Sequence, residues 1–293
     1  MFLSEKFNKG KFVMTSEIGP PKGWQVDACL REAETLKGKV DAINVTDNQS
    51  SVMRFGSLAA CHMLRDREME PVFQVTCRDR NRIALQSDIL SAKAMGIDNM
   101  LLLTGDHTKL GDHKGAKPVF DLDSVSLLEA VRRMENGEDL AGNKLEGEPP
   151  KFCSGAVVSP CAEPLEPQLI KMEKKIRAGA RFFQTQAVYE PEKFAGFMDR
   201  VKQFNVPVMA GIVLLKSVGM ARFMNANVAG VHVPDNLIDE LKKDKEKTKS
   251  GQTAVEIAVR LIKEMQPLCQ GVHIMPLGWD DKVLPILQGA GLA

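Results

Sequence analysis

The sequence predicts an α/β protein: a (β/α)8 TIM barrel, with residues 1–293 forming a single domain. Three observations point there. Eight short, nearly continuous apolar runs recur along the chain, as expected of parallel strands buried on both faces. Segments with the 3.6-residue period of amphipathic helices lie between them. The first turn reads Gly19-Pro20-Pro21 where a doubly wound open sheet would usually carry a glycine-rich phosphate loop, and no G-x-G-x-x-G or Walker motif occurs anywhere.

The first strand is "KFVMTSEIG" (11–19). Two prolines forbid helix and cannot donate to a sheet ladder, so it stops with Glu17 just before a rigid turn. "QVDACLREAETLKGKV" (25–40) puts Val26, Cys29, Leu30, Ala33 and Leu36 on one helical stripe. Strands two and three are "VDAINVTD" (40–47) and "PVFQVTC" (71–77). "NRIALQSDILSAKAMG" (81–96) places Ile83, Leu85, Ile89, Leu90 and Ala94 on a buried stripe and ends on Gly96 as a C-cap. Strand four, "NMLLLTGD" (99–106), runs into the long polar stretch "TGDHTKLGDHKGAKPVFDLDS" (104–124). A loop of that length in a compact domain is usually functional. "FCSGAVVSP" (152–160) and "RFFQTQAVY" (181–189) are strands five and six, with the helix "EPQLIKMEKKIRAGA" between them. The helix "PEKFAGFMDRVKQF" leads to strand seven, "PVMAGIVLL" (207–215). The mixed charges of "KKDKEKTKSG" (242–251) predict a solvated helix end and linker. Strand eight, "GVHIMPLG" (271–278), precedes a closing helix, "DDKVLPILQGAG".

Charge nearly cancels, with 39 Lys+Arg against 38 Asp+Glu, so nothing suggests a nucleic-acid or membrane-surface partner. The start, "MFLSEKFNKGKF", lacks the apolar stretch of a signal peptide. No run approaches the roughly 18 apolar residues of a membrane span. The six cysteines include no C-x-x-C pair, which predicts buried reduced thiols rather than a disulfide framework or a zinc site. His107 and His113 sit in the long loop without i, i+4 ligand spacing and read as solvated, so no metal is expected. A cytoplasmic location follows.

Barrel chemistry sits where strands end. Those positions hold Glu17, Thr46-Asp47-Asn48, Thr76, Thr104-Gly105-Asp106, and Gln184 with Gln186. Any one could merely cap its strand; five strands converging on polar ends make a site. Two carboxylates, Glu17 and Asp106, with amides and hydroxyls between them suit recognition and protonation of a nitrogen heterocycle. No Ser or Cys at a strand end has an obvious His partner for nucleophilic catalysis. Lys171, Lys174 and Lys175 share a helical face, either a solvated basic surface or a phosphate clamp beside the barrel mouth.

Glu17 before Pro20-Pro21, "VTDNQS" at 45–50, "VTC" at 75–77, "TGD" at 104–106 and "KMEKKIRAGARFFQTQ" at 171–186 occur in an order that resembles the methylenetetrahydrofolate reductase family. These are flavoprotein barrels of one-carbon metabolism and methionine biosynthesis, here in a short form without a regulatory extension. The resemblance implies an oxidoreductase that reduces 5,10-methylenetetrahydrofolate to 5-methyltetrahydrofolate. Hydride would pass from NADH or NADPH through the N5 of a flavin, FAD by resemblance with FMN as the alternative. By matching position, Glu17 would be the general acid, Asp106 would lie near both flavin and pterin, and Gln186 would hydrogen-bond the folate. Thr46, Asp47, Gln74, Thr104, Gly105, Lys174 and Lys175 would line the cofactor. Gln74, Thr104 and Val158 stand where the better-known bacterial members carry His, Arg and Tyr. An oligomer is expected, and a partner redox subunit is compatible with the short chain. Two other readings compete: a flavin-free pterin-binding methyltransferase barrel, and a non-catalytic barrel subunit of a redox complex.

Overall fold

The computed structural model describes residues 2–293. Eight parallel strands close a barrel in sequence order: β1 (Val13–Ile18), β2 (Ala42–Val45), β3 (Pro71–Thr76), β4 (Asn99–Leu103), β5 (Cys153–Val158), β6 (Phe182–Ala187), β7 (Val208–Val213) and β8 (Gly271–Met275). The helices in chain order are α1 (Leu3–Asn8), α2 (Asp27–Leu36), α3 (Ser57–Arg65), α4 (Arg82–Ala94), α5 (Ser124–Glu135) and α6 (Glu166–Arg177). They continue as α7 (Pro191–Val201), α8 (Val218–Asn227), α9 (Asp235–Lys243), α10 (Lys245–Lys249), α11 (Gln252–Met265) and α12 (Val283–Gly289). The (β/α)8 barrel expected from the strand and helix rhythm is the fold observed.

Alternation along each strand separates two cores. Outward residues such as Ile43, Phe73, Val75 and Leu102 pack with Leu30, Leu64, Leu85 and Ile89 of the helices. Inward residues at the strand starts, including Val13, Val72, Leu101 and Phe182, form a smaller apolar layer on the axis. The first residues of the chain, which carry no strand or signal pattern, become a plug for that end. Leu3 and Phe7 of α1 are buried in the inner layer, with the Phe7 and Phe182 ring centroids 6.0 Å apart. Leu3 N donates to Asn99 Oδ1 at 2.8 Å, and Lys6 pairs with Asp41 at 2.5 Å. Gly155 leaves room for Phe182, since a Cβ there would lie 2.3 Å from the ring. The barrel is therefore closed and dry at its N-terminal end, which leaves the C-terminal end for chemistry.

Two expectations need correction. On α4 the buried stripe is Leu85, Ile89 and Ala92; Ile83, Leu90 and Ala94 face solvent. The apolar period there admits two registers, and packing against α5 and the sheet selects one. Residues 242–251 form the end of α9 and all of α10 rather than a linker, anchored by the buried Thr248, whose Oγ1 donates to Leu241 O at 2.9 Å. Charged side chains cover the outside, as the pattern predicts. All six cysteines are free thiols and five are buried. Among the described residues no cluster of His, Cys, Asp and Glu could hold a metal, and no helix is long and apolar enough to cross a membrane.

Candidate functional site

Above the apolar layer the barrel interior turns polar. The register pairs Thr15 with His273 across β1 and β8, and Glu17 with Asn44 across β1 and β2. His273 Nδ1 meets Thr15 Oγ1 at 2.9 Å, and His273 Nε2 lies 3.7 Å from Glu17 Oε2. Both His273 and Glu17 are over nine-tenths buried. Beneath them Gln184 Nε2 donates to Thr15 Oγ1 at 3.2 Å. Gln184 and Asn44 exchange two side-chain hydrogen bonds, at 2.9 and 3.2 Å. One continuous line of polar groups therefore runs from the centre of the barrel up to Glu17. Of the two strand-six glutamines, Gln184 lies in this lower layer. Gln186 is half-buried above it, where β6 carries a bulge that uses an extra residue between Gln184 and Ala187.

A second carboxyl group approaches Glu17. Asp280, buried just after β8, has its pKa pushed up to about 6, first by burial and then by the charges of Glu32 and Glu17. Lys216, at the end of β7, holds its ammonium 4.8 Å from the centre of the Trp279 ring and donates to Leu277 O at 2.5 Å. This wall of the mouth is thus apolar, aromatic and carboxylate together.

The opposite wall is built by the ends of β2, β3 and β4. Gly105 has φ +90°, and a Cβ on it would sit 3.0 Å from Thr76 Cβ and 3.3 Å from Arg78 Cβ. The backbone of Thr104-Gly105-Asp106 thus lies flat against the end of β3, as only glycine allows without strain. Gln74 is buried and Gln186 half-buried at this mouth, and the exposed Asp106 carboxylate lies within electrostatic reach of the Arg78 guanidinium. Other expected site residues have partners within the chain. Thr104 Oγ1 accepts from Ser124 N at 3.1 Å and so fixes the start of α5. Thr46 is buried, with Oγ1 3.4 Å from Ile18 O. Asp47 accepts from Thr76 N at 2.8 Å and Thr76 Oγ1 at 2.9 Å, and pairs with Arg80. Arg78, almost fully buried, binds Asp79 at 2.7 Å and Asn48 O at 3.1 Å, and reaches Asp106 O at 3.4 Å, so one guanidinium ties three loops together.

The three lysines of α6 do not act alike. Lys171 and Lys174 are exposed, whereas Lys175 is buried and donates to Val157 O at 2.6 Å. Burial, with Lys171 adding to it, lowers the Lys175 pKa to about 8, and Asp123 opposes the shift. His107 and His113 are exposed; His107 Nδ1 accepts from Lys109 N, and His113 pairs with Asp112. The long loop is nonetheless ordered against the site, because Asp112 pairs with Lys22 and Gly111 packs directly on the Ser51 carbonyl.

His273, Thr15, Asn44, Asp280 and Arg78 belong to no motif. The signal for Thr15 and Asn44 is periodic: Thr15/Glu17 and Asn44/Thr46 are polar pairs two apart at strand ends, so each pair shares the face that lines the barrel, whereas His273 has no such pair. Asp280 and Arg78 had no signal of this kind.

Comparison with known proteins agrees with the geometry. The family model described as methylenetetrahydrofolate reductase matches residues 3–291. "Methylenetetrahydrofolate reductase 2" of Schizosaccharomyces pombe is 27% identical over 258 residues, covering 80% of this chain and 38% of the relative. The "probable methylenetetrahydrofolate reductase (NADPH)" of Caenorhabditis elegans is 23% identical over 256 residues, covering 84% of this chain and 36% of the relative. The chain thus spans well under half the length of these curated relatives. An uncharacterised Clostridium thermocellum protein, solved with two copies of 5-methyl-5,6,7,8-tetrahydrofolic acid, shares the fold with TM-score 0.66 and 16% identity over 98% of this chain and 97% of that one. A Yersinia pestis DHPS solved with a pterine-sulfa conjugate aligns with TM-score 0.51 and 11% identity over 96% and 94% of the two chains. With a family match over nearly its whole length, and with the buried Glu17 and open Asp106 at the mouth of the expected barrel, this chain belongs to the methylenetetrahydrofolate reductase family.

Proposed function

We propose that this chain reduces 5,10-methylenetetrahydrofolate to 5-methyltetrahydrofolate, with a bound flavin carrying hydride from NADH or NADPH. The observation that carries the reading is Glu17, buried at the mouth with His273 behind it and Asp106, Gln74 and Gln186 on the strand ends around it. Family membership supports it, as does the folate bound by the Clostridium thermocellum protein of the same fold.

The residues fit a flavin. Gly105 lets the Thr104-Gly105-Asp106 turn pack against the end of β3, where Gln74 would offer its amide to a flat ring system. Lys174 is free at the surface for a phosphate, and Lys175 beneath it is a buried ammonium that a nearby anion would stabilise. Thr46 would line the same wall, while Asp47 and Thr104 would act by fixing the loops that shape it. A flavin, when bound, supplies the two-electron carrier between nicotinamide and folate.

The chain's own groups account for the rest. Asp106 accepts from the amino and ring N–H groups of a pterin, and the Gln186 amide both donates and accepts. Glu17 gives a proton to one of the two nitrogens bridged by the substrate's methylene carbon. The C–N bond to that nitrogen breaks, its electron pair staying on the protonated nitrogen, and the carbon becomes an iminium ready to take hydride. Burial excludes the water that would compete for this cation.

Two measurements test the proposal. The purified protein should bind FAD or FMN and absorb at about 450 nm; a protein that stays colourless with both cofactors loses the flavin reading. Glu17→Gln keeps shape and polarity but has no proton to give. Rapid mixing should show reduction by the nicotinamide nearly unchanged and reoxidation by methylenetetrahydrofolate slowed by roughly 10²-fold or more. Equal slowing of both half-reactions, or of neither, removes Glu17 as the acid.

A further inference from the structure

We propose that the buried amide pair Asn44–Gln184 sets the tautomer of His273, and thereby decides what the imidazole offers to Glu17. Gln184 and Asn44 are positioning residues under this proposal, which rests on the role of Glu17 given above. Neither reaches the barrel mouth; Asn44 is fully buried and Gln184 1% exposed.

The argument is one of donors and acceptors. In a site this dry each polar group needs a partner, so the direction of every hydrogen bond is constrained by the next. Gln184 Nε2 gives one hydrogen to Asn44 Oδ1 and faces Thr15 Oγ1 with the other. An amide nitrogen only donates, so Thr15 accepts there. The single hydroxyl hydrogen of Thr15 is then left for His273 Nδ1, 2.9 Å away. A neutral imidazole whose Nδ1 accepts carries its proton on Nε2, the atom that faces Glu17 Oε2 at 3.7 Å. Glu17 therefore faces the positive end of an N–H dipole.

The same pair has a second arrangement. Turning both amides by about 180° preserves their two mutual bonds, because each is reciprocal, but brings Gln184 Oε1 to Thr15. Every direction then reverses: Thr15 donates downward, His273 Nδ1–H donates to Thr15, and a bare Nε2 lone pair faces Glu17. The other charged groups on this side of the mouth are Asp280, whose charge couples to Glu17, with Glu32 of α2 and Lys216 beyond it.

The tautomer is directly measurable. In protein labelled with 15N histidine, His273, identified by loss of its signals in His273→Asn, should carry its proton on Nε2. Gln184→Met removes the donor to Thr15, and Asn44→Ser releases Gln184 to present either end of its amide at smaller packing cost. Each should change the tautomer ratio by roughly five- to tenfold, the scale of one hydrogen bond. The folate half-reaction should slow by roughly tenfold with folate affinity retained, since neither residue touches the ligand. If both variants keep the wild-type tautomer, or wild-type His273 carries its proton on Nδ1, the proposal is overturned. Tautomer shifts in both variants alongside a wild type that reduces no methylenetetrahydrofolate would uphold the amide pair's role and remove the functional reading instead.

Discussion

Replacing Lys175 with Met should make the protein more stable at pH 7 and less able to retain an anionic cofactor. Lys175 is 7% exposed, and the hydrogen-bond partner of its ammonium is a neutral carbonyl, Val157 O at 2.6 Å. Its pKa falls from 10.5 to about 8, chiefly through burial. The difference, 10.5 − 8 = 2.5 units, corresponds to about 3 kcal/mol disfavouring the folded state while the lysine is charged. Losing the bond to Val157 O gives back about 1–2 kcal/mol, so the net gain for Met is about 1–2 kcal/mol at pH 7. The sign of the pH dependence follows from proton counts. Between about pH 8 and 10.5 the unfolded chain holds the lysine proton more often than the folded one, so wild-type stability rises with pH through that window. The advantage of the Met variant should therefore be full below pH 8 and fade toward pH 10.5. Urea unfolding of both proteins at pH 7 and at about pH 10 measures this difference directly. The same variant should bind FAD or FMN more weakly, because the charge that destabilises the free protein would stabilise a phosphate. A Met variant less stable than wild type at pH 7, or an advantage that does not change with pH, would refute the reasoning.

Asp280 makes the mirror-image case: its folded pKa of about 6 lies above the ordinary 3.8, so it favours the fold below pH 3.8 and that contribution is lost as pH rises through 6. Asp280→Asn should therefore add about 2–3 kcal/mol at pH 8 relative to its effect at pH 4, read from thermal or urea unfolding at the two pH values; no pH dependence would contradict it. Gly155→Ala forces a methyl group to within 2.3 Å of the Phe182 ring and should lower stability by about 1–3 kcal/mol, with Phe182→Leu in the same chain restoring much of it. An alanine that costs nothing would show that the ring is not held on the barrel axis. Asp106→Asn, which keeps one acceptor oxygen of two, should weaken folate binding and raise the flavin potential by removing a negative charge; wild-type values for both would place Asp106 outside the site.

The sequence by itself determined the barrel. Eight apolar runs with amphipathic segments between them leave few ways to bury both faces of each strand, and a first turn with no phosphate loop selects the closed parallel sheet over the open one. It also determined which end of the barrel is polar, because a strand's last residues are fixed by its turn: Gly19-Pro20-Pro21 ends β1 just past Glu17, and Gly105 turns the chain beyond β4. Tertiary structure decided the choices that period and spacing leave equal. Which side of α4 is buried depends on its neighbours, so Ile83 faces water and Ala92 does not. Lys175 and Lys174 are adjacent in sequence, yet one is buried against β5 and the other is exposed, because a helix turns 100° per residue. Most of all, the line from Gln184 through Thr15 and His273 to Glu17 joins strands β6, β1 and β8, whose residues lie as many as 258 positions apart. Only closure of the barrel sets Thr15 beside His273. No local pattern encodes a hydrogen bond between the first strand and the last.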